Sequence, residues 1–148
     1  METKKNIEIL NELISILEDG RVGYTNAAEN SEDGSLKTVF LGIARDRSLM
    51  VVQLQDEINK LGKSTEATDG PLGAIHRVWI DFKAMITGHD NDAIIEACLT
   101  GENAALDKFR EALKNDSLSP SLYGLLSSQL ISIENAIATI KSYKNITV

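Results

Sequence analysis

Apolar side chains return every three or four positions along most of this chain, which is the period of one helical face. From Thr3 to about Glu29 the inward series is Ile7, Leu10, Ile14, Leu17, Tyr24 and Ala28. Gly20 and Gly23 interrupt it, at about 1 kcal/mol each relative to Ala, so this stretch predicts either a close helix contact or a local bend. The run Asn30-Ser-Glu-Asp-Gly-Ser35 supplies turn and cap chemistry, and Leu36, Phe40, Ile43, Met50, Leu54, Ile58 and Leu61 form a second stripe that Gly62 ends. A third stripe, capped by Asp90 or Asn91, runs Ile95, Cys98, Glu102, Ala105, Phe109 and Ala112. After the turn Asn115-Asp-Ser-Leu-Ser119, Pro120 opens a last helix with Tyr123, Leu126, Leu130, Ile133, Ile137 and Ile140 inward. Short loops make each consecutive pair antiparallel.

The middle connection differs. Residues 63–70 are polar and aperiodic, whereas Pro71 and the apolar residues Leu72, Ile75, Val78, Trp79, Phe82, Met85 and Ile86 predict a shorter helical piece closed by Gly88. A helix of roughly 26 residues is about 39 Å long. A simple up-down-up-down bundle needs only a few connecting residues. A loop reaching about 26 Å followed by a helix of about 24 Å can instead carry the chain back along the whole bundle. The expected fold is therefore all-α: a ferritin-like four-helix bundle of two antiparallel pairs joined by a long crossover that contains an extra short helix.

Composition adds bounds to that picture. The 148 residues suit one domain spanning 1–148, and 43% hydrophobic with 25% charged residues is the balance of a water-soluble globular chain. No apolar run approaches the ~20 residues of a membrane span, and METKKNIEIL has no signal-peptide core, so a cytoplasmic location is expected. A net charge of −7 without a basic cluster argues against nucleic acid or an anionic membrane as partner. Cys98 cannot form an internal disulfide, and its apolar neighbours mark it as a packing residue.

Chemistry is sought where charged residues interrupt the inward stripes. Carboxylate-bridged di-iron bundles place one Glu on each of two helices and a Glu-x-x-His pair on each of the other two. Here His76 follows Gly73 by three and His89 follows Ile86 by three, so neither completes that motif. Glu102 is inward, and Glu134 borders the last stripe, but Ile137 stands where its histidine would be. Arg21 and Arg47 occupy inward positions on the first two helices, where a guanidinium opposes cation binding by charge and volume. Arg21, Arg47, Glu102 and the hydroxyl of Tyr24 are expected to form one buried polar layer that fixes helix register. The alternative is a divergent carboxylate site for iron or another divalent metal, using Glu18, Glu102 and Glu134. His76 and Trp79 read as packing residues of the crossover piece. No phosphate-binding loop, nucleophile elbow, Ser-His-Asp set or zinc spacing occurs.

Three segments resemble one family. Gly23–Glu29 (GYTNAAE), His76–Gly88 (HRVWIDFKAMITG) and Cys98–Ala105 (CLTGENAA) are similar to the bacterial family of small ferritin-like four-helix-bundle proteins classed as a domain of unknown function, distant architectural kin of rubrerythrin and ferritin. The resemblance covers nearly the whole chain. It implies the fold and leaves the chemistry open. It also implies a histidine near the position of Ile137 and an aspartate at that of Asn103, both missing here.

The expectation is therefore a non-enzymatic bundle without a cofactor, acting as an interaction or stress-associated protein. The apolar excess of residues 72–86 makes that segment the expected surface for homo-oligomer formation.

Overall fold

The structure, a computed structural model, describes residues 2–62 and 91–144. They form four helices and no strand: α1 (Glu2–Asn30), α2 (Gly34–Lys60), α3 (Asn91–Leu113) and α4 (Pro120–Ser142). The expected crossover helix at 72–86, with His76 and Trp79, lies outside the described residues.

Three helix boundaries have a clear local cause. The Asp33 carboxylate accepts the Leu36 amide at 3.1 Å and starts α2. Gly62, at φ +83°, takes the left-handed conformation that ends it. Ser119 Oγ accepts the Leu122 amide at 3.2 Å and starts α4, with Pro120 in the first turn, where its missing N–H costs nothing. In the turn before it, Asn115 Oδ1 accepts both the amide and the hydroxyl of Ser117, at 2.9 and 2.7 Å. Asn6 Nδ2 donates to the Ser117 carbonyl at 3.2 Å, which ties the start of α1 to the end of α3.

These ties define the topology. α1 packs on α2 and α3, α4 packs on α3 and α2, and the diagonal pairs α1/α4 and α2/α3 have no close backbone approach. The Tyr24 and Phe40 rings, 5.9 Å apart, join the end of α1 to the start of α2, so those two are antiparallel. Asn6 with Ser117, and Glu12 with Lys108 at 3.4 Å, make α1 and α3 antiparallel as well. Hence α2 and α3 run parallel across the diagonal, and the connection from Gly62 to Asn91 joins opposite ends of the bundle. This is the long-crossover arrangement rather than up-down-up-down.

Inside, Leu10, Leu17, Phe40, Leu54, Ile94, Phe109, Leu126, Ile133 and Ile140 are among the fully enclosed side chains of a single core. Gly20 and Gly23 are buried within an unbroken α1. Of the apolar positions expected inward, Ile7, Leu61 and Leu130 are half-buried and Tyr123 is exposed. Tyr123 is exposed and Leu122 is buried, because Leu122, Leu126, Gln129 and Ile133 share the face turned to the core. Removing the α4 cap by Ser119→Ala is expected to lower the unfolding free energy by about 1 kcal/mol with an unchanged urea m-value; an unmoved midpoint would show that the cap contributes nothing.

Candidate functional site

At mid-bundle the core holds a charge pair. Arg47 follows Phe40, Ile43 and Ala44 along the buried face of α2, so helix geometry directs its side chain inward. Glu102 follows Cys98 and Leu99 along α3 in the same way. Arg47 Nη1 donates to Glu102 Oε1 at 2.5 Å and Nη2 to Oε2 at 2.7 Å, a bidentate pair with side chains 2% and 0% exposed. The two residues belong to the diagonal helices. A long guanidinium arm crosses a distance that the backbones do not.

Tyr24 closes one side of this layer. Its ring lies 5.6 Å from the Arg47 guanidinium carbon, and its hydroxyl feels the negative charge of Glu102. Burial, and then the negative charge of Glu102, hold the Tyr24 hydroxyl well above its ordinary range, so it stays a neutral donor. For Arg47, burial pulls the guanidinium down, but the charge and hydrogen bonds of Glu102 outweigh it and leave it above its usual value. Arg47 Nε is buried with no hydrogen-bond partner among the described residues. Cys98, one turn before Glu102, is pushed well up by burial and then by that carboxylate, so its thiol stays protonated and poorly nucleophilic.

Arg21 lies outside the layer. It stands at the edge of the α1 stripe, and its Nη2 reaches back to Glu18 Oε2 at 3.2 Å, both side chains being about 40% exposed (39% and 43%). An arginine at the rim of a stripe can bury its stem while its head meets water and a carboxylate one turn away. The acids of the alternative metal set are dispersed: Glu18 pairs with Arg21, Glu102 with Arg47, and exposed Glu134 with Arg110 at 3.6 Å. Among the described residues no three His, Cys, Asp or Glu side chains gather as a metal site.

Gln129 is a buried polar residue that periodicity did not single out. Its Nε2 donates to the Met50 carbonyl at 3.2 Å and to Gln53 Oε1 at 3.0 Å, linking α4 to α2 a turn from Arg47. The signal was present, since Gln129 sits three after Leu126 and four before Ile133 on one face.

The chain matches the family described as Domain of unknown function (DUF2383) over residues 5–115, and it belongs to that family. No curated protein matches this sequence. Two solved structures from Mycobacterium smegmatis are similar in fold: a point mutant of Dps1, with TM-score 0.76, 15% identity and 96% of each chain covered, and a C-terminal deletion mutant of Dps, with TM-score 0.79, 14% identity and 95% of this chain against 98% of that one. At such identity the likeness carries the ferritin-like fold alone. The paired metals of carboxylate-type ferritin-like bundles do not fit the residues at this centre. Glu102 has both oxygens engaged by a cation of the protein itself, and Ile137 stands where a ligand histidine would be needed.

A buried pair broken on one side leaves an uncompensated charge, at a cost of about 3–5 kcal/mol, whereas apolar replacement of both sides is near neutral. Glu102→Leu is thus expected to destabilise the fold by about that amount in urea unfolding, and adding Arg47→Met should restore most of it. Arg21→Ala should cost under about 1 kcal/mol, as for other exposed pairs. Equal stability of Glu102→Leu and the double variant would remove the layer from the energetics of folding.

Proposed function

We propose that this family member is a non-enzymatic ferritin-like bundle in which an internal ion pair takes the place of a metal centre, and that it works through its surface as an interaction protein. The observation that carries this reading is the bidentate Arg47–Glu102 contact. It places a permanent positive charge at mid-bundle and occupies the one fully buried carboxylate among the described residues. Nothing else in the layer is poised for chemistry: Tyr24 and Cys98 are both held in their protonated forms. Divergent binding of iron through Glu18, Glu102 and Glu134 would need all three turned from their present partners toward one point.

The surroundings of the protein follow from its surface. A net charge of −7 favours protein partners over nucleic acid. No helix among the described residues is long and apolar enough to cross a membrane. A cytoplasmic, self-associating protein suits this reading, with the apolar residues between 72 and 86 as one contact surface.

Protein purified without chelators and analysed for elements is expected to carry iron, manganese and zinc far below one ion per chain. Retention of one or two iron ions per chain through gel filtration would overturn the reading.

A further inference from the structure

The outer face of α2 carries a feature that its own bundle does not use. Arg45, Leu49, Val52 and Asp56 follow one another at steps of four, three and four, so they form one stripe opposite the buried face. All four are exposed, Leu49 at 56% and Val52 at 51%, which is unusual for two large aliphatic residues side by side on a charged helix. Arg45 has no ion-pair partner among the described residues, although the other three arginines there each have one. Asp56 sits eleven residues on, about 16 Å along the axis, too far to meet Arg45 within one helix.

Reversed, the order of this stripe becomes its own complement: cation, apolar, apolar, anion from one end and anion, apolar, apolar, cation from the other. When two copies of α2 lie antiparallel about a two-fold axis passing between Met50 and Val51, residue i faces residue 101 − i of the second copy. Leu49 then meets Val52 at the centre, and Arg45 meets Asp56 on both flanks. The angular positions agree as well as the register: Arg45 and Asp56 lie within about 20° of each other around the helix, at 100° per residue, so they come to the same side of the contact. A dimer axis demands this self-complementarity, because one patch must serve as both halves of the interface. An apolar centre with charges at the rim is also the ordinary anatomy of such contacts.

We infer that the exposed face of α2 is a homodimer interface, formed by a second copy of this chain in antiparallel register, with Leu49 and Val52 at its centre and two Arg45–Asp56 pairs at its edges. This deepens the reading of the bundle as an interaction protein, and it names a surface made of described residues, whereas the expected contact at 72–86 lies outside them. The two readings are distinguishable: association through α2 is lost on charge reversal at Arg45 or Asp56 and regained when the reversals are combined, a pattern that a merely associating protein need not show.

Sedimentation equilibrium of the full chain, from low to high micromolar, tests this directly. Leu49→Glu is expected to weaken the dimer by about tenfold or more with unchanged helical circular dichroism. Arg45→Glu and Asp56→Arg should each weaken it, since each sets like charges against one another across the axis. The double variant Arg45→Glu/Asp56→Arg should dimerise like the unaltered protein. Mixing the two single variants should restore association, because the mixed dimer pairs Glu with Arg on one flank and Asp with Arg on the other. A chain that is monomeric throughout, single variants that dimerise as well as the unaltered protein, or charge reversal that fails to rescue would each overturn the inference. Circular dichroism and urea unfolding of every variant separate loss of the interface from loss of the fold, and all substituted positions are solvent-exposed.

Discussion

The Arg47–Glu102 pair is the constraint around which this bundle is arranged. Moving a carboxylate and a guanidinium out of water costs several kcal/mol each, and only close, bidentate geometry with further donors offsets that cost. Both residues are almost completely enclosed, and the two contacts are short. The geometry therefore tolerates little sliding. A shift of α2 against α3 by one turn, about 5.4 Å, would leave two unpaired charges inside the core. Apolar packing alone discriminates such shifts less sharply, because leucine and isoleucine interchange with modest loss. The pair thus sets register between two helices that have no close backbone approach of their own.

That placement also bears on function. In a four-helix bundle the diagonal meets the axis at the centre, where carboxylate ligands from facing helices converge in metal-binding relatives of the fold. Here the same region is filled from within. A guanidinium supplies the positive charge that a metal would otherwise supply, and the Tyr24 ring lies against that guanidinium. On the proposed reading the interior is structural and the surface carries specificity. Gln129 repeats the principle one turn away by satisfying the Met50 carbonyl from α4.

Most of the fold was legible in the order of residues because helix periodicity, caps and loop length each bear on a different part of it. The stripes located four helices, Asn30–Ser35 and Ser119-Pro120 marked two starts, and the length between Gly62 and Asn91 implied the long crossover. Arg47 and Glu102 were legible as inward charges for the same reason. Arg21 misled because its backbone position is close to the stripe while its side chain is long enough to leave it. Rotamer choice, with Glu18 one turn earlier, decides such a case, and periodicity does not encode it. Tyr123 misled differently: the phase of α4 is set by the whole run to Ile140, and its first turn alone leaves Leu122 and Tyr123 equally plausible. Gln129 was overlooked because a search by apolar residues skips the polar member of a stripe. A search by position would have found it.

Crystals grown with excess ferrous iron under anaerobic conditions, with diffraction collected at the iron absorption edge, test the central claim most directly. The account predicts Arg47 and Glu102 still joined by two short contacts and no anomalous density at their level. A Glu102 carboxylate turned away from Arg47 onto an anomalous scatterer would contradict it.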